Sequence, residues 1–248
     1  MSTVDHDRSR AVRGPSGAGV TPMFDRVLHD VGSAIIRGDL ASGAVSTVDG
    51  LVSRTGASRS IVREATRVLV NLGMLHAGRR VGLRILPRQE WDVLDPLVIR
   101  WRLDGPDRFD QLEELRGLRQ AVEPEAAATA ARRVELGAIP RHDLAPLTLA
   151  ADALAGAARH DDPEVFLSAD RAFHSLALDL SGNSMFTRLH SVVDEALRYR
   201  ALTERVNLQP DDHDVDLHVA VAQAIATGDP ARAAARMREI IDRTALPG

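Results

Sequence analysis

"ASRSIVREATRVL", residues 57–69, carries two patterns at once. Val62, Ala65, Val68 and Leu69, with Leu72 just beyond, recur at helical spacing and form one apolar stripe. Arg59, Ser60, Arg63 and Arg67 fall on the other side, with Glu64 the acid among them. Such a helix presents either a solvated charged face or a surface built for a polyanion. The flanking sequence decides between the two.

Upstream, Phe24, Val27, Leu28, Val31 and Ile35 predict a helix that stops at Gly38. "DLASGAVS" (39–46) makes a turn, and a short helix follows over 48–55, capped by Ser46 or Thr47 and ended by Gly56. Ser58 is placed to cap the quoted helix. Downstream, in "GMLHAGRRVGLRILP" (73–87), Gly73 ends that helix and a Gly/Arg-rich turn near 78–82 joins two short strands. Helix, helix-turn-helix and β-hairpin together make a winged helix-turn-helix, whose third helix enters the major groove with its N-terminal side chains at base edges. Arginine can donate two hydrogen bonds to guanine O6 and N7, and serine can serve either base type or a phosphate. Arg79, Arg80 and Arg84 on the hairpin would hold phosphates or reach into the minor groove.

The bulk numbers agree with this reading. The 248 residues are 44% hydrophobic, enough for a core, and only 3% aromatic, which favours Ala/Leu-rich helices over a β-sandwich. There is no cysteine, so disulfides and thiolate metal sites are excluded. No apolar run approaches the ~18 residues of a membrane span. "MSTVDHDRSRAVRGPSGAG" at the start holds no apolar segment of the signal-peptide type, so a cytoplasmic protein is expected. The net charge of −4 hides an asymmetry: residues 1–90 carry +5 and residues 91–248 carry −9. A basic module joined to a larger acidic one suits a nucleic-acid reader with a regulatory body.

The first half resembles the DNA-binding domain of the GntR transcription regulators. Their Gly-x-Leu-x-x-Gly turn stands here as Gly38, Leu40 and Gly43. Their reading helix stands as Ser58, Arg59, Val62, Arg63, Glu64 and Ala65, followed by Leu69, Gly73, Met74 and the wing glycine Gly82. The resemblance implies that Ser58, Arg59, Ser60 and Arg63 read DNA, with the wing backbone at Gly82; the charged helix face and the hairpin add Arg67, Arg79 and Arg80 to the expected DNA-binding residues. Some members have an arginine at the start of the second helix for DNA contact, where this chain has Asp49.

Beyond residue 105 helical patterns recur near 109–134, 141–159, 163–180, 184–206, 211–227 and 230–244, which predicts an antiparallel all-helical bundle. The expected organisation is a disordered tail over 1–21, a winged domain over 22–87, a linker over 88–105 and a helical effector-binding and dimerisation domain over 106–248. Trp91 and Trp101 in the linker are expected to pin it to the helical body. "LEELRGLRQAVEPEAAATAA", "DRAFHSLALDLSGN" and "HVAVAQAIATGDPARAAARM" resemble successive signatures of the FadR-type C-terminal ligand domain, FCD. The linker "WDVLDPLVIRW" is similar to that of repressors of sugar-acid operons.

Asp170 and His174 lie four apart and share a helix face, and His218 belongs to another helix. Taken alone, such a pair is a surface hydrogen bond. The FCD resemblance instead implies that all three face the interior as effector- and metal-site residues, with zinc, nickel or manganese the suitable ions. The family's remaining ligand is a histidine, and its position falls on Ile240, which cannot coordinate. The site is therefore incomplete, and loss of the ion is expected, with the polar residues bonding the effector directly. The resemblance also puts Arg119 at the ligand cavity, where a guanidinium pairs with a carboxylate such as a sugar acid. The alternative for Arg119 is a salt bridge to Glu123 or Glu125, and Arg198 and Arg200 read as a solvated face. The leading function is a ligand-responsive, homodimeric repressor of operator DNA. The competing readings are a metal-dependent hydrolase or lyase using Asp170, His174 and His218, and an architectural DNA protein without effector.

Overall fold

The computed structural model describes residues 22–78, 80–204 and 212–243. The expected tail (1–21) and Arg79 lie outside the described residues. Helix α1 (Pro22–Ile36) packs on α3 (Arg59–Asn71), with α2 (Val48–Thr55) beside it. Thr47 caps α2 by accepting from the Gly50 amide at 2.9 Å, and Gly56 closes it in the left-handed region at φ 68°. Ser58 caps α3 through the Ile61 amide. The wing strands β2 (Leu75–Gly78) and β3 (Gly82–Ile85) pair antiparallel, as expected. A third strand was not expected: β1 (Val45–Ser46) pairs with β3, so the sheet order is β1-β3-β2. Two residues are too short to show an alternating pattern, and the sheet alone defines them.

The core of this head is Val27, Leu28, Val31, Leu51, Val62, Ala65, Leu69, Met74, Leu83 and Ile85, all buried. The apolar stripe of the quoted helix thus faces inward, although Val68 is only half-buried.

The stretch expected as a linker holds helix α4 (Pro96–Leu103), started by Asp95, which accepts from the Leu97 amide at 2.8 Å. Val98 and Trp101 of α4 enter the head's core, while Ile99 and Leu103 pack with Leu115, Val192 and Ala196 of the body. The tryptophan expectation is corrected here. Trp91 packs against the head and donates to the Leu86 carbonyl, and Trp101 is buried in the head's core. Both pin this stretch to the winged head.

The body is helical: α5 (Arg108–Glu135), α6 (Ala145–His160), α7 (Pro163–Leu180), α8 (Ser184–Thr187), α9 (His190–Glu204), α10 (Asp212–Thr227) and α11 (Pro230–Arg243). The pattern read as one helix over 184–206 is two. Asn183 caps α8, and the Leu189 amide turns back to the Phe186 carbonyl three residues away, which closes the helix before α9 begins. Phe173, Leu217, Val221, Met237, Ile240 and Ile241 lie in the bundle's main core.

Candidate DNA-reading surface and effector site

The capped start of α3 projects Arg59, Ser60, Arg63, Glu64 and Arg67 into solvent. Ser58 Oγ and Ser60 Oγ lie 3.0 Å apart. Arg67 pairs with Glu64 at 2.5 Å, Arg59 pairs with Asp49 of α2, and Arg63 has no ion-pair partner among the described residues. Arg80 sits exposed in the wing turn at φ 64°, and Arg84 is exposed on β3. Gly82 has a packing reason as well: at φ 90°, a Cβ there would lie 2.6 Å from the Ser46 carbonyl. A basic helix face and a basic wing on one small domain can hold a duplex.

Inside the bundle, Asp170 and His174 from α7 and His218 from α10 are buried and offer ligand atoms all within 4.8 Å of one another. His218 donates from Nδ1 to the Asp214 carbonyl at 2.7 Å, and its Nε2 lies 3.1 Å from Asp170 Oδ1. His174 donates from Nδ1 to Glu123 Oε2, while its Nε2, 3.4 Å from Asp170 Oδ1, has no hydrogen-bond partner among the described residues. Glu123 in turn accepts from Arg119 Nε at 2.5 Å along α5, leaving Arg119 Nη2 buried and without a partner among the described residues. Phe173 packs edge-on against both imidazoles, with ring centroids 5.8 and 4.9 Å away.

The charges inside this group are interlocked. Burial pushes the Glu123 carboxyl up, but the neighbouring Arg119 and His174 charges outweigh it and hold the group at about 2. Burial pushes His174 down, and the Glu123 and Asp170 carboxylates outweigh that, raising it to about 9. Asp170 is held well below the usual carboxylate range, burial being overcome by the two imidazoles beside it, His174 and His218.

The donor set fits a transition metal in one respect and departs in another. Both imidazoles have Nδ1 committed to an acceptor, as metal-bound histidines do, and turn Nε2 toward the Asp170 carboxylate. Ile240, at the position of the expected further ligand, is wholly buried in apolar core. Of the two partners open to Arg119, the structure selects Glu123, while Glu125 is exposed and pairs with Arg132. The sequence offers Glu123 only as a salt-bridge partner of Arg119, not as a member of this group. Its position one turn after Arg119 was legible, but its contact with His174 crosses 51 residues. The solvated-face reading of Arg198 and Arg200 is corrected: both are mostly buried and meet the buried carboxylates of Glu195 and Asp214.

A winged head with a basic reading helix, joined to a helical body with a buried polar group, defines a ligand-responsive DNA-binding regulator. The FCD domain family matches residues 114–243. The galactonate operon transcriptional repressor of Escherichia coli (strain K12) is 30% identical over 185 residues, 73% of this chain and 76% of that protein. The uncharacterized HTH-type transcriptional regulator YieP of the same organism is 24% identical over 198 residues, covering 79% and 82%. Among solved structures, Lar, which controls expression of the Listeria monocytogenes agr system, superposes with a TM-score of 0.59 at 16% identity, covering 90% of this chain and 95% of that one. Streptococcus agalactiae GntR gives 0.50 at 23% identity, covering 90% and 98%. The chain belongs to the GntR family of transcription regulators, in the FadR-type branch whose body is an FCD domain. No described helix is long and apolar enough to cross a membrane.

Proposed function

We propose that the chain is a repressor that binds operator DNA as a homodimer in the cytoplasm and is released by a small carboxylate, with a sugar acid the favoured effector. In this reading Ser58, Arg59, Ser60 and Arg63 read bases, and Arg67, Arg79, Arg80 and the Gly82 backbone hold the duplex in place. The observation that carries the effector class is Arg119: its guanidinium is buried and Nη2 has no partner among the described residues, next to a group of buried polar side chains. A carboxylate would satisfy that nitrogen with a charge-assisted bond, and hydroxyls could engage His174 and His218. Similarity to a galactonate operon repressor supports the same class.

Asp170, His174 and His218 would hold a divalent transition metal as three protein donors, with His174 then in its neutral form. Bound there, the metal would supply a Lewis-acidic centre for an effector oxygen, because Ile240 contributes none. A hydrolase or lyase reading has less support: the relatives are transcription regulators, and the cluster's carboxylates are already committed to buried ion pairs.

A thermal-shift screen of six-carbon sugar acids, acyl-CoAs, hydroxy acids and amino acids tests the effector. A binder at 100 times its dissociation constant stabilises the fold by ~2.7 kcal/mol. The same compound should release DNA in a gel shift. If acyl-CoAs or amino acids shift melting and sugar acids do not, the effector class is wrong.

A further inference from the structure

The surface meant for DNA carries a carboxylate that fold stability does not require. Asp49 is the second residue of α2, and it forms an ion pair with Nη2 of Arg59, the first residue of α3. Both side chains are 62% exposed, and such pairs add little to stability. Its consequence therefore lies in what it does to Arg59.

Both ends of the pair are anchored. Thr47 caps the helix that carries Asp49, and the preceding residues of β1 are bonded to β3 of the wing. Ser58 caps the helix that carries Arg59. A fixed carboxylate on one helix thus meets a guanidinium on the next, across the turn of the helix-turn-helix. The exposed arginines of α3 differ in this respect. Arg63 is free of ion pairs among the described residues, and Arg67 is paired only along its own helix.

A carboxylate on a face that approaches phosphates weakens sequence-independent binding. It can increase selectivity by holding one arginine in a single direction and by penalising sites that leave it unmatched. We propose that Asp49 is a positioning residue for DNA readout, aiming the Arg59 guanidinium at one guanine and trading affinity for sequence discrimination.

The inference rests on Arg59 being a base-reading residue. Operators are selected from random duplex DNA with the full-length wild-type chain, and binding of Arg59→Ala, Asp49→Ala and Asp49→Glu is then measured. The targets are the selected operator, single-base changes of it, and unrelated duplex across a salt series. Arg59→Ala should identify the base position it governs. Asp49→Ala should bind unrelated duplex more tightly, and discrimination at that same position should fall roughly five- to tenfold, within the range of one lost base contact. Asp49→Glu should restore most of it. In a chain carrying both Asp49→Ala and Arg59→Ala, measured alongside, the loss at that position should be no larger than in Arg59→Ala alone. Full discrimination in Asp49→Ala, or an equal loss on every sequence, overturns the positioning role. Unchanged base preference in Arg59→Ala removes Arg59 from base reading, and the proposal with it.

Discussion

Trp101 donates its indole N–H to His29 Nδ1 at 3.1 Å, joining α4 to α1 across 72 residues of sequence. The ring lies so close to α1 that a Cβ on Gly32 would sit 2.6 Å from its carbons. The preceding residue, Arg100, forms a paired contact with the buried Glu195 of α9. One turn of α4 is therefore bound to the head on one side and to the body on the other. Helix α9 is also tied by Asp194 to Arg171, the neighbour of Asp170 on α7. A shift at the polar group has a packed route to the head.

Gly32→Ala should displace the Trp101 ring and destabilise the chain by ~1–3 kcal/mol through overpacking. Trp101→Ala should cost more, about 3–5 kcal/mol. Both are read by chemical denaturation. In each, effector-induced DNA release should weaken more than DNA binding itself. A Gly32→Ala variant with native stability and native release would show that this contact transmits nothing.

Arg59→Ala and Arg63→Ala should each weaken operator binding by ~1–3 kcal/mol and relax base preference. Neither side chain enters the core, so helicity and thermal stability should stay near native. Fluorescence anisotropy on a selected operator checks both. Native affinity in both variants would remove α3 as the reading helix.

Arg119→Ala removes a buried cation from Glu123, and breaking a buried pair in this way costs ~3–5 kcal/mol. Arg119→Lys keeps the charge and should lose less stability. It should still bind a sugar acid poorly, because a point charge cannot replace the planar fork. Calorimetry of the effector with Arg119→Lys separates the two losses. Full-strength binding there would take Arg119 out of the effector site.

In metal-free protein, the Glu123–His174 pair sets a pH window. Glu123 is lowered from 4.5 to about 2 on folding, so its contribution is present above pH 4.5 and is lost as pH falls toward 2. His174 is raised from 6.5 to about 9, so its contribution is complete below pH 6.5 and is lost as pH rises through 9. Melting temperature should therefore be highest between about pH 4.5 and 6.5 as far as this pair is concerned. Glu123→Gln should flatten the alkaline decline. A wild-type profile flat from pH 6 to 10 in the presence of chelator would contradict the coupling.

Ile240→His should raise zinc affinity if the ligand position inferred from sequence is right, since a third imidazole would join two imidazoles and a carboxylate. Elemental analysis after metal loading and extensive dialysis reads the difference. Equal metal content in wild type and Ile240→His would show that the position is misplaced. The substitution buries a polar ring in apolar core, so the variant's melting curve must accompany the assay.

The winged head was legible from residues 24–87 because its determinants are local. Caps at Thr47 and Ser58, left-handed glycines at 38, 56 and 73, and a helical apolar stripe act within a few residues of themselves. Asp170 with His174 was legible for the same reason, one helical turn separating them. What the sequence left open depended on contacts between distant segments. It could not show that α4 packs into both cores, since residues 96–103 place Val98 and Trp101 toward one and Ile99 and Leu103 toward the other without a single apolar stripe. Nor could it show which carboxylate Arg119 meets, or that Glu123 reaches His174 on another helix. Local propensity acts through neighbours along the chain, whereas a buried polar group is defined by the helices that converge on it. Only their packing decided that Glu123 joins Asp170, His174 and His218, and that both tryptophans belong to the head.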